Sequence, residues 1–245
     1  MDNKHFLAGQ VAMVTGGTRG IGREIVQQLR EAGASVHFCG RSVDSIRTEL
    51  GSLGEPRLGG GKVTGRAVDV TKEEQIAAWF SGVWEEEGRL DVLVNNAGIG
   101  RFQPVRDLEM DAWRETIETN LTAAYGCSRQ ALEKFDRERG GFIVNIASLA
   151  SRNAFASGAA YNASKFGLLG FGEAMMLDHR QENVRVSTIL PGSVATEFSP
   201  RSAGVDDSWK IAPEDVAEVV MDVLRMPRRT LVSLVEMRPA KPRSK

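Results

Sequence analysis

The chain has 245 residues, of which 42% are hydrophobic, and its 31 basic and 32 acidic side chains leave a net charge of −1. This length and composition predict one α/β domain over residues 1–245 and exclude disordered and fibrous proteins. The near-zero charge gives no indication of a nucleic-acid or membrane partner.

The cysteines and histidines predict neither a disulfide framework nor a metal site. Cys39 falls in a predicted strand and Cys127 in a predicted helix, as is typical of buried, unreactive thiols. The histidines (His5, His37, His179) are scattered along the chain. The N-terminal residues lack the apolar stretch of a signal peptide, and no apolar run reaches the roughly 20 residues that span a bilayer. We therefore expect a cytoplasmic protein.

Apolar runs of strand length alternate with segments of helical periodicity along the chain. The predicted strands are mostly continuous in hydrophobicity, as in sheets covered on both faces: Val11–Thr15, Ser35–Cys39, Val63–Asp69, Val92–Asn95, Phe142–Ala147, Arg185–Leu190 and Leu231–Glu236. The predicted helices are Ile21–Ala32, Val43–Leu50, Glu73–Glu87, Ala112–Arg139, Ala159–Gln181 and Pro213–Arg225. This alternation predicts a single Rossmann-type, doubly wound parallel sheet of about seven strands with helices on both faces.

Local signals refine these boundaries. Gly33 is expected to end the first helix in left-handed conformation, and Thr71 with Glu74 forms a predicted capping box. The glycine-rich stretch Gly51–Gly61 is expected to be a surface loop, and residues 240–245 a flexible tail. In a sheet of this kind, ligands bind at the carboxyl ends of the strands, where the strand order reverses.

A glycine-rich turn, Thr15-Gly16-Gly17-Thr18-Arg19-Gly20-Ile21-Gly22, joins the first strand to the first helix. Such a turn lets a pyrophosphate approach the free N–H groups of a helix N-terminus, although a turn that merely packs tightly has the same composition. The Gly-Lys-Ser/Thr of a nucleotide triphosphatase is missing from it.

The end of the second strand, Gly40-Arg41-Ser42, carries an arginine where an NAD-binding chain would carry an acid. Arg41, together with Arg19 in the turn, predicts a site for the 2′-phosphate of NADP(H). The alternative is that both arginines are ordinary solvent-facing loop residues.

Tyr161 and Lys165 lie four residues apart and share one face of a predicted helix. A neighbouring ammonium lowers a phenol's pKa, so Tyr161 is a candidate acid or base at a carbonyl oxygen. Ser148 follows a predicted strand directly, and its hydroxyl could polarise the same oxygen. The Gly-x-Ser-x-Gly elbow of hydrolases is missing around Ser148, which argues against acyl transfer.

With these residues in place, the chain resembles the short-chain dehydrogenase/reductase family from about residue 8 to residue 225. The ordered motifs are Thr15-Gly16-x-x-x-Gly20-x-Gly22, Asp69-Val70, Asn95-Asn96-Ala97-Gly98, Asn120, Ser148, Tyr161-x-x-x-Lys165 and Pro191-Gly192. Within the family, the core resembles NADP(H)-preferring 3-oxoacyl carrier-protein reductases and carbonyl reductases.

The resemblance implies a role for each matching residue. Tyr161 would be the acid/base, Lys165 would lower its pKa and bind the nicotinamide ribose, Ser148 would orient the carbonyl, and Asn120 would hold a water that relays protons. The implied cofactor-binding residues are Gly16, Thr18, Arg19, Gly20, Ile21, Arg41, Asp69, Val70, Asn96, Ala97, Gly98, Tyr161, Lys165, Pro191, Gly192, Val194 and Thr196. The resemblance also implies a homodimer or homotetramer assembled through the helices Ala112–Arg139 and Ala159–Gln181.

The segment Ser193–Ile211 would form a short substrate lid containing Phe198, Pro200, Gly204 and Trp209. Phe102, Ala154 and Phe155 are further candidate apolar walls, and such a pocket would suit a small or medium apolar carbonyl compound. The ending Val232–Pro239 lacks the Asp-Gly-Gly typical of 3-oxoacyl carrier-protein reductases.

The sequence thus predicts an NADPH-dependent ketone or aldehyde reductase. Three alternatives stay open: alcohol oxidation with NADP+, reduction of a 3-oxoacyl thioester, and a non-catalytic NADP(H)-sensing protein. The last would be expected to have lost Tyr161 or Lys165.

Overall fold

The computed structural model describes residues 5–54, 60–198 and 207–242. Within these ranges, seven parallel strands form one sheet: β1 (Val11–Thr15), β2 (Ser35–Gly40), β3 (Val63–Ala67), β4 (Val92–Asn95), β5 (Gly141–Ile146), β6 (Val184–Pro191) and β7 (Leu234–Met237). Their order in the sheet is β3-β2-β1-β4-β5-β6-β7, so the winding reverses between β1 and β4. The predicted doubly wound sheet is confirmed.

The α-helices of the described part connect and cover the strands: α1 (Gly20–Glu31), α2 (Val43–Leu53), α3 (Glu73–Glu87), α4 (Met110–Ile117), α5 (Ala123–Lys134), α6 (Ala159–His179) and α7 (Pro213–Arg225). None of these described helices is long and apolar enough to cross a membrane.

Strand β1 shows why the central strands are apolar at every position. Ala12 and Val14 contribute to the core beneath α1 and α7, whereas Val11 and Met13 contribute to the core beneath α3 and α5. Successive side chains of a strand point to opposite faces, and both faces are covered here.

The two cysteines also belong to the interior. Cys39 and Cys127 are buried free thiols, as predicted, and burial raises the pKa of Cys39 to about 12. Both thiols therefore stay protonated and unreactive at neutral pH.

Several predicted boundaries are wrong. The predicted helix Ala112–Arg139 is divided into α4 and α5 by a π-helical turn, Glu118–Thr122, and α5 ends at Lys134 because Phe135 is extended. Helix α2 continues to Leu53, so the predicted loop Gly51–Gly61 begins in helix; residues 55–59 lie outside the described part. Strands β3 and β7 are also shorter than predicted.

The two cap predictions have opposite outcomes. Gly33 has a positive φ of 95° after the last turn of α1, as predicted. The capping box at Thr71 is wrong, since Lys72 is the N-cap of α3 and makes no side-chain cap. The Thr71 hydroxyl instead donates to the carboxylate of Asp69 at 2.8 Å. A hydrogen bond to a charged carboxylate is stronger than one between a hydroxyl and a helix N–H group.

Candidate active site

A cavity of about 780 Å³ opens at the carboxyl ends of the strands, around the reversal between β1 and β4. It is lined by all of the predicted cofactor residues and by three of the four predicted catalytic residues, Ser148, Tyr161 and Lys165. The fourth, Asn120, lies behind Gly98 of the lining. Residues that are far apart in the sequence therefore meet at the edge where the fold class predicted a ligand.

The glycine turn is fastened to the neighbouring strand by Thr15 and Asn96. The Thr15 hydroxyl accepts from the backbone N–H groups of Asn96 and Ala97, both at 3.0 Å. The Asn96 amide nitrogen donates to the carbonyls of Thr15 and Gly16, both at 3.0 Å. These bonds hold the turn and the end of β4 as one unit on one side of the cavity.

The turn leaves no room for side chains, which is what a pyrophosphate cradle requires. A Cβ added at Gly22 would overlap the carbonyl oxygen of Gly16 and the side-chain nitrogen of Asn96. Gly16 itself has a positive φ of 69°. Helix α1 then begins at Gly20, so its first backbone N–H groups lie at the cavity without intrahelical partners. The described residues fit a dinucleotide phosphate here.

Arg41 and Arg19 both line the outer end of the cavity with exposed side chains. A residue that the sequence did not single out, Glu115 of α4, lies between two arginines there. Its carboxylate is 4.0 Å from the Arg41 guanidinium and 2.8 Å from that of Arg101. No spacing pattern links these residues, so only the fold reveals their proximity.

Asp69 lies on the same side, where its carboxylate accepts from the backbone N–H of Thr71 at 3.0 Å and from the Thr71 hydroxyl. Burial raises the pKa of Asp69, but these hydrogen bonds and the charges of Lys72 and Arg41 outweigh it, so that the pKa is lowered overall. Asp69 is therefore an anion with a fixed orientation at neutral pH.

Tyr161, Ser148 and Lys165 meet at the inner end of the cavity. Ser148 follows β5 and hydrogen-bonds with the Tyr161 phenol. The Lys165 Nζ atom is buried, donates to the carbonyl of Ile146 at 2.8 Å, and lies 5.9 Å from the centre of the Tyr161 ring. The spacing of Tyr161 and Lys165 thus places both beside the end of β5.

The pKa values of this group differ from the sequence-based expectation. Burial raises the pKa of Tyr161, and the hydrogen bond with Ser148 only partly opposes that rise. Burial also lowers the pKa of Lys165 to about 8. The expected lowering of the Tyr161 pKa by Lys165 is not observed, because removal of both groups from water dominates.

Asn120 is buried in the π-helical turn. Its side-chain oxygen accepts from the backbone N–H of Ile99 at 2.8 Å, and its nitrogen donates to the carbonyl of Ile99 and to the Ser164 hydroxyl. Asn120 therefore fastens the segment after β4 to helix α6. It also borders a separate cavity of about 10 Å³, roughly the size that holds one water molecule.

The segment after Pro191-Gly192 closes the remaining side. Val194 pairs with Ile211 in an isolated parallel bridge, which brings the two ends of the predicted lid together. Phe198 and Trp209 line the cavity, whereas Pro200 and Gly204 lie outside the described residues. Lys210 and Arg238 also line it, although nothing in their sequence context indicated that position.

Comparison with known proteins agrees with this geometry. The family model described as short chain dehydrogenase matches residues 10–204. The chain is 34% identical to the 3-oxoacyl-[acyl-carrier-protein] reductase FabG of Vibrio cholerae, over 79% of this chain and 77% of that protein.

Two solved structures share the fold. A metagenomic short-chain oxidoreductase in complex with NADP is 36% identical, with a TM-score of 0.83 over 96% of this chain and 99% of that one. A single-substitution variant of actinorhodin polyketide ketoreductase with NADPH is 30% identical, with a TM-score of 0.84 over 94% of this chain and 96% of that one. The chain belongs to the short-chain dehydrogenase/reductase family, and it is an oxidoreductase that acts on CH–OH or C=O groups.

Proposed function

We propose that this chain is an NADPH-dependent reductase of ketones or aldehydes with Tyr161 as the proton donor. The observation that carries the proposal is the meeting of Tyr161, Ser148 and Lys165 in the same cavity as the glycine turn. NADP(H), when bound, supplies the hydride. The protein's own contribution is to orient the carbonyl and to deliver the proton.

Ser148 and Tyr161 would act together on the substrate oxygen. Both hydroxyl groups lie at the end of β5 and can donate to one carbonyl oxygen, which polarises the C=O bond. As the carbon gains the hydride, the oxygen takes the phenolic proton of Tyr161. The raised pKa of Tyr161 keeps that proton on the phenol at neutral pH.

Lys165 and Asn120 would return a proton to Tyr161. With its pKa lowered to about 8, Lys165 exchanges a proton close to neutral pH. The relay through Asn120 rests on the family resemblance, because the water-sized cavity beside Asn120 does not include Lys165 in its lining. A cofactor sensor without catalysis has no use for this arrangement, which favours the enzyme.

The preference for NADP(H) rests on Arg41 and Arg19 at the outer end of the cavity. Two guanidinium groups complement the 2′-phosphate. The relatives that are solved with NADP or NADPH support the same assignment.

Replacement of Tyr161 tests the mechanism. Tyr161→Phe should lower the rate of NADPH oxidation with a carbonyl substrate by about 100-fold or more, the usual contribution of general acid catalysis. NADPH binding, followed by fluorescence titration, should change little. Tyr125→Phe is the matched control, because Tyr125 is the other tyrosine and is exposed on α5. Substantial turnover by Tyr161→Phe would refute Tyr161 as the acid.

The raised pKa of Tyr161 also favours reduction over alcohol oxidation near neutral pH. Reduction needs the protonated phenol and, for the return of its proton, protonated Lys165, so its rate should be level below about pH 7 and fall as pH rises through about 8. Oxidation needs the phenolate and should rise with pH. Opposite pH profiles would overturn this assignment of direction.

A 3-oxoacyl thioester is a second candidate substrate, supported by the 34% identity to FabG. Comparison of acetoacetyl-coenzyme A with simple ketones in the NADPH assay decides between them. We also propose a cytoplasmic homo-oligomer, whose mass size-exclusion chromatography with light scattering would measure.

A further inference from the structure

Three phenylalanine rings from three separate segments surround the ring of Tyr161. The ring centres of Phe102, Phe198 and Phe155 lie 5.6, 5.7 and 6.2 Å from that of Tyr161. Phe102 also contacts Phe155 at 5.7 Å and Phe198 at 6.4 Å. We call Phe102, Phe155 and Phe198 the phenylalanine cluster.

The phenylalanine cluster is part of the cavity wall and not of the core. Its three residues are 39%, 46% and 39% exposed in the order Phe102, Phe155 and Phe198, whereas a core residue such as Phe38 is fully buried. All three line the cavity next to Ser148 and Tyr161. Exposed aromatic surface beside a reacting group is costly in water and is available to a ligand.

Two glycines make space for these rings. A Cβ at Gly100 would lie 2.5 Å from the ring of Phe102, and a Cβ at Gly158 would lie 2.5 Å from the ring of Phe155. An isolated bridge between Gln103 and Gly158 joins the segment that carries Phe102 to the start of α6. The rings are therefore held against Tyr161 by close backbone packing.

We propose that the natural substrate carries an aromatic ring close to its carbonyl group, and that the phenylalanine cluster binds this ring. The inference rests on the proposed function, because the carbonyl must reach Tyr161 and Ser148 for the ring to meet the cluster. Edge-to-face and offset contacts stabilise an aromatic ring beyond the apolar area that it buries. A saturated ring of similar size gains only the burial of area.

The test compares phenylacetone with cyclohexylacetone in the NADPH assay. In both ketones a methylene separates the ring from the carbonyl, so their intrinsic reactivities are close. We expect kcat/KM to favour phenylacetone at least about threefold, the size of one aromatic pair contact. Phe102→Leu should reduce that ratio towards one, whereas the control Phe6→Leu, whose ring contacts Arg225 away from the cavity lining, should not change it.

Binding is measured separately from turnover with the Tyr161→Phe variant and NADPH, since this variant keeps the aromatic ring and loses only the hydroxyl. Isothermal titration of the two ketones should again favour phenylacetone. If Tyr161→Phe binds phenylacetone more tightly than cyclohexylacetone but the wild type reduces neither ketone, the proposed function is refuted and the aromatic binding site is supported. Equal affinities, or a preference that survives Phe102→Leu, would overturn the aromatic site whatever the outcome for Tyr161.

Discussion

The two ends of the cavity are built differently. The nucleotide end is mostly backbone: a glycine turn, the first N–H groups of α1 and the strand end fastened by Thr15 and Asn96. The substrate end is mostly side chains, with the phenylalanine cluster contributed by three separate loops. A cavity wall made of main-chain atoms requires glycine at the positions where a side chain would fill the space. A cavity wall made of side chains requires that particular loops come together in the fold.

This difference indicates how each end can change. The nucleotide end tolerates few substitutions, because a single added carbon meets main-chain atoms. At the substrate end, truncation of a single phenylalanine ring adds no atom that could overlap the backbone. Phe102→Leu tests the substrate end, and the following experiments test the nucleotide end and Lys165, beginning with the largest expected effect.

Among substitutions that add one methyl group at the nucleotide end, Gly22→Ala should cause the largest loss of stability and of NADPH binding. Its Cβ would overlap backbone and Asn96 atoms that cannot move away cheaply. We expect a loss of about 3 kcal/mol in the free energy of unfolding, at the upper end for overpacking, together with loss of NADPH binding. Urea denaturation and fluorescence titration measure the two effects.

Gly51→Ala is the matched control for this substitution. Gly51 lies in α2, and a Cβ there would meet nothing within 4 Å. Alanine should leave NADPH binding unchanged and raise stability by up to about 0.5–1 kcal/mol through its higher helix propensity. Equal damage from both variants would show that the turn is not specially constrained.

Lys165 is buried beside Tyr161, and its titration should affect stability. Because its folded pKa is about 8 and its usual value is 10.5, the unfolded chain binds the proton more tightly. Stability from this group therefore increases as pH rises from about 8 to 10.5 and is lost as pH falls through the same window. The difference corresponds to about 3 kcal/mol as an order of magnitude.

Lys165→Met should remove this pH dependence. The quantity to compare is the free energy of unfolding of the variant minus that of the wild type. This difference should be larger at pH 7 than at pH 10, on the order of 3 kcal/mol. Urea denaturation of both proteins at the two pH values isolates the effect, because other titrating groups are common to both. Parallel stability curves would contradict the lowered pKa.

Arg41→Ala tests the part of the nucleotide end that depends on long side chains, those of Arg41 and Arg19. Loss of this charge should reduce the preference for NADPH over NADH by roughly tenfold, as expected for a charged hydrogen bond to phosphate. The ratio of kcat/KM for the two cofactors is the measurement. An unchanged ratio would remove Arg41 from the phosphate site.

Glu115→Gln should have the smallest effect, in the opposite direction. The variant removes a negative charge 4.0 Å from the Arg41 guanidinium. Because the Arg41 side chain is mostly exposed and that of Glu115 is partly exposed, screening limits the gain in NADPH preference to about threefold. The gain should shrink at high salt, and a lower preference would show that Glu115 positions Arg41 instead of opposing the phosphate.

The glycine turn between the first strand and the first helix was predicted from the sequence because its backbone constraints restrict the residue types directly. Gly16 and Gly22 have no room for a side chain, and the apolar strand before them is buried at every position. All seven strands were predicted from their apolar runs, with β3 and β7 shorter than expected, and the edge of the sheet that holds the cavity was predicted from the fold class.

Several features that depend on tertiary contacts were not predicted. The π-helical turn leaves no periodic signal in a helix that stays continuous around it. Thr71 has the residue type of a helix cap, yet its hydroxyl binds the carboxylate of Asp69. Phe102, Phe155 and Phe198 were predicted to border the substrate pocket, and all three line the cavity. Their contacts with one another and with Tyr161, like the position of Glu115, depend on how loops and helices pack, and sequence spacing does not encode that packing.

The π-helical turn at Glu118–Thr122 also changes the direction in which the side chains of α5 point relative to those of α4. One extra residue rotates everything after it by about 100° relative to an uninterrupted α-helix. Asn120 can therefore hydrogen-bond the segment after β4, while Cys127 and Ala131 of α5 still pack in the core beneath the sheet. Deletion of a single residue here would turn the apolar side of α5 away from the sheet, so the length of this turn is constrained as well as the identity of Asn120.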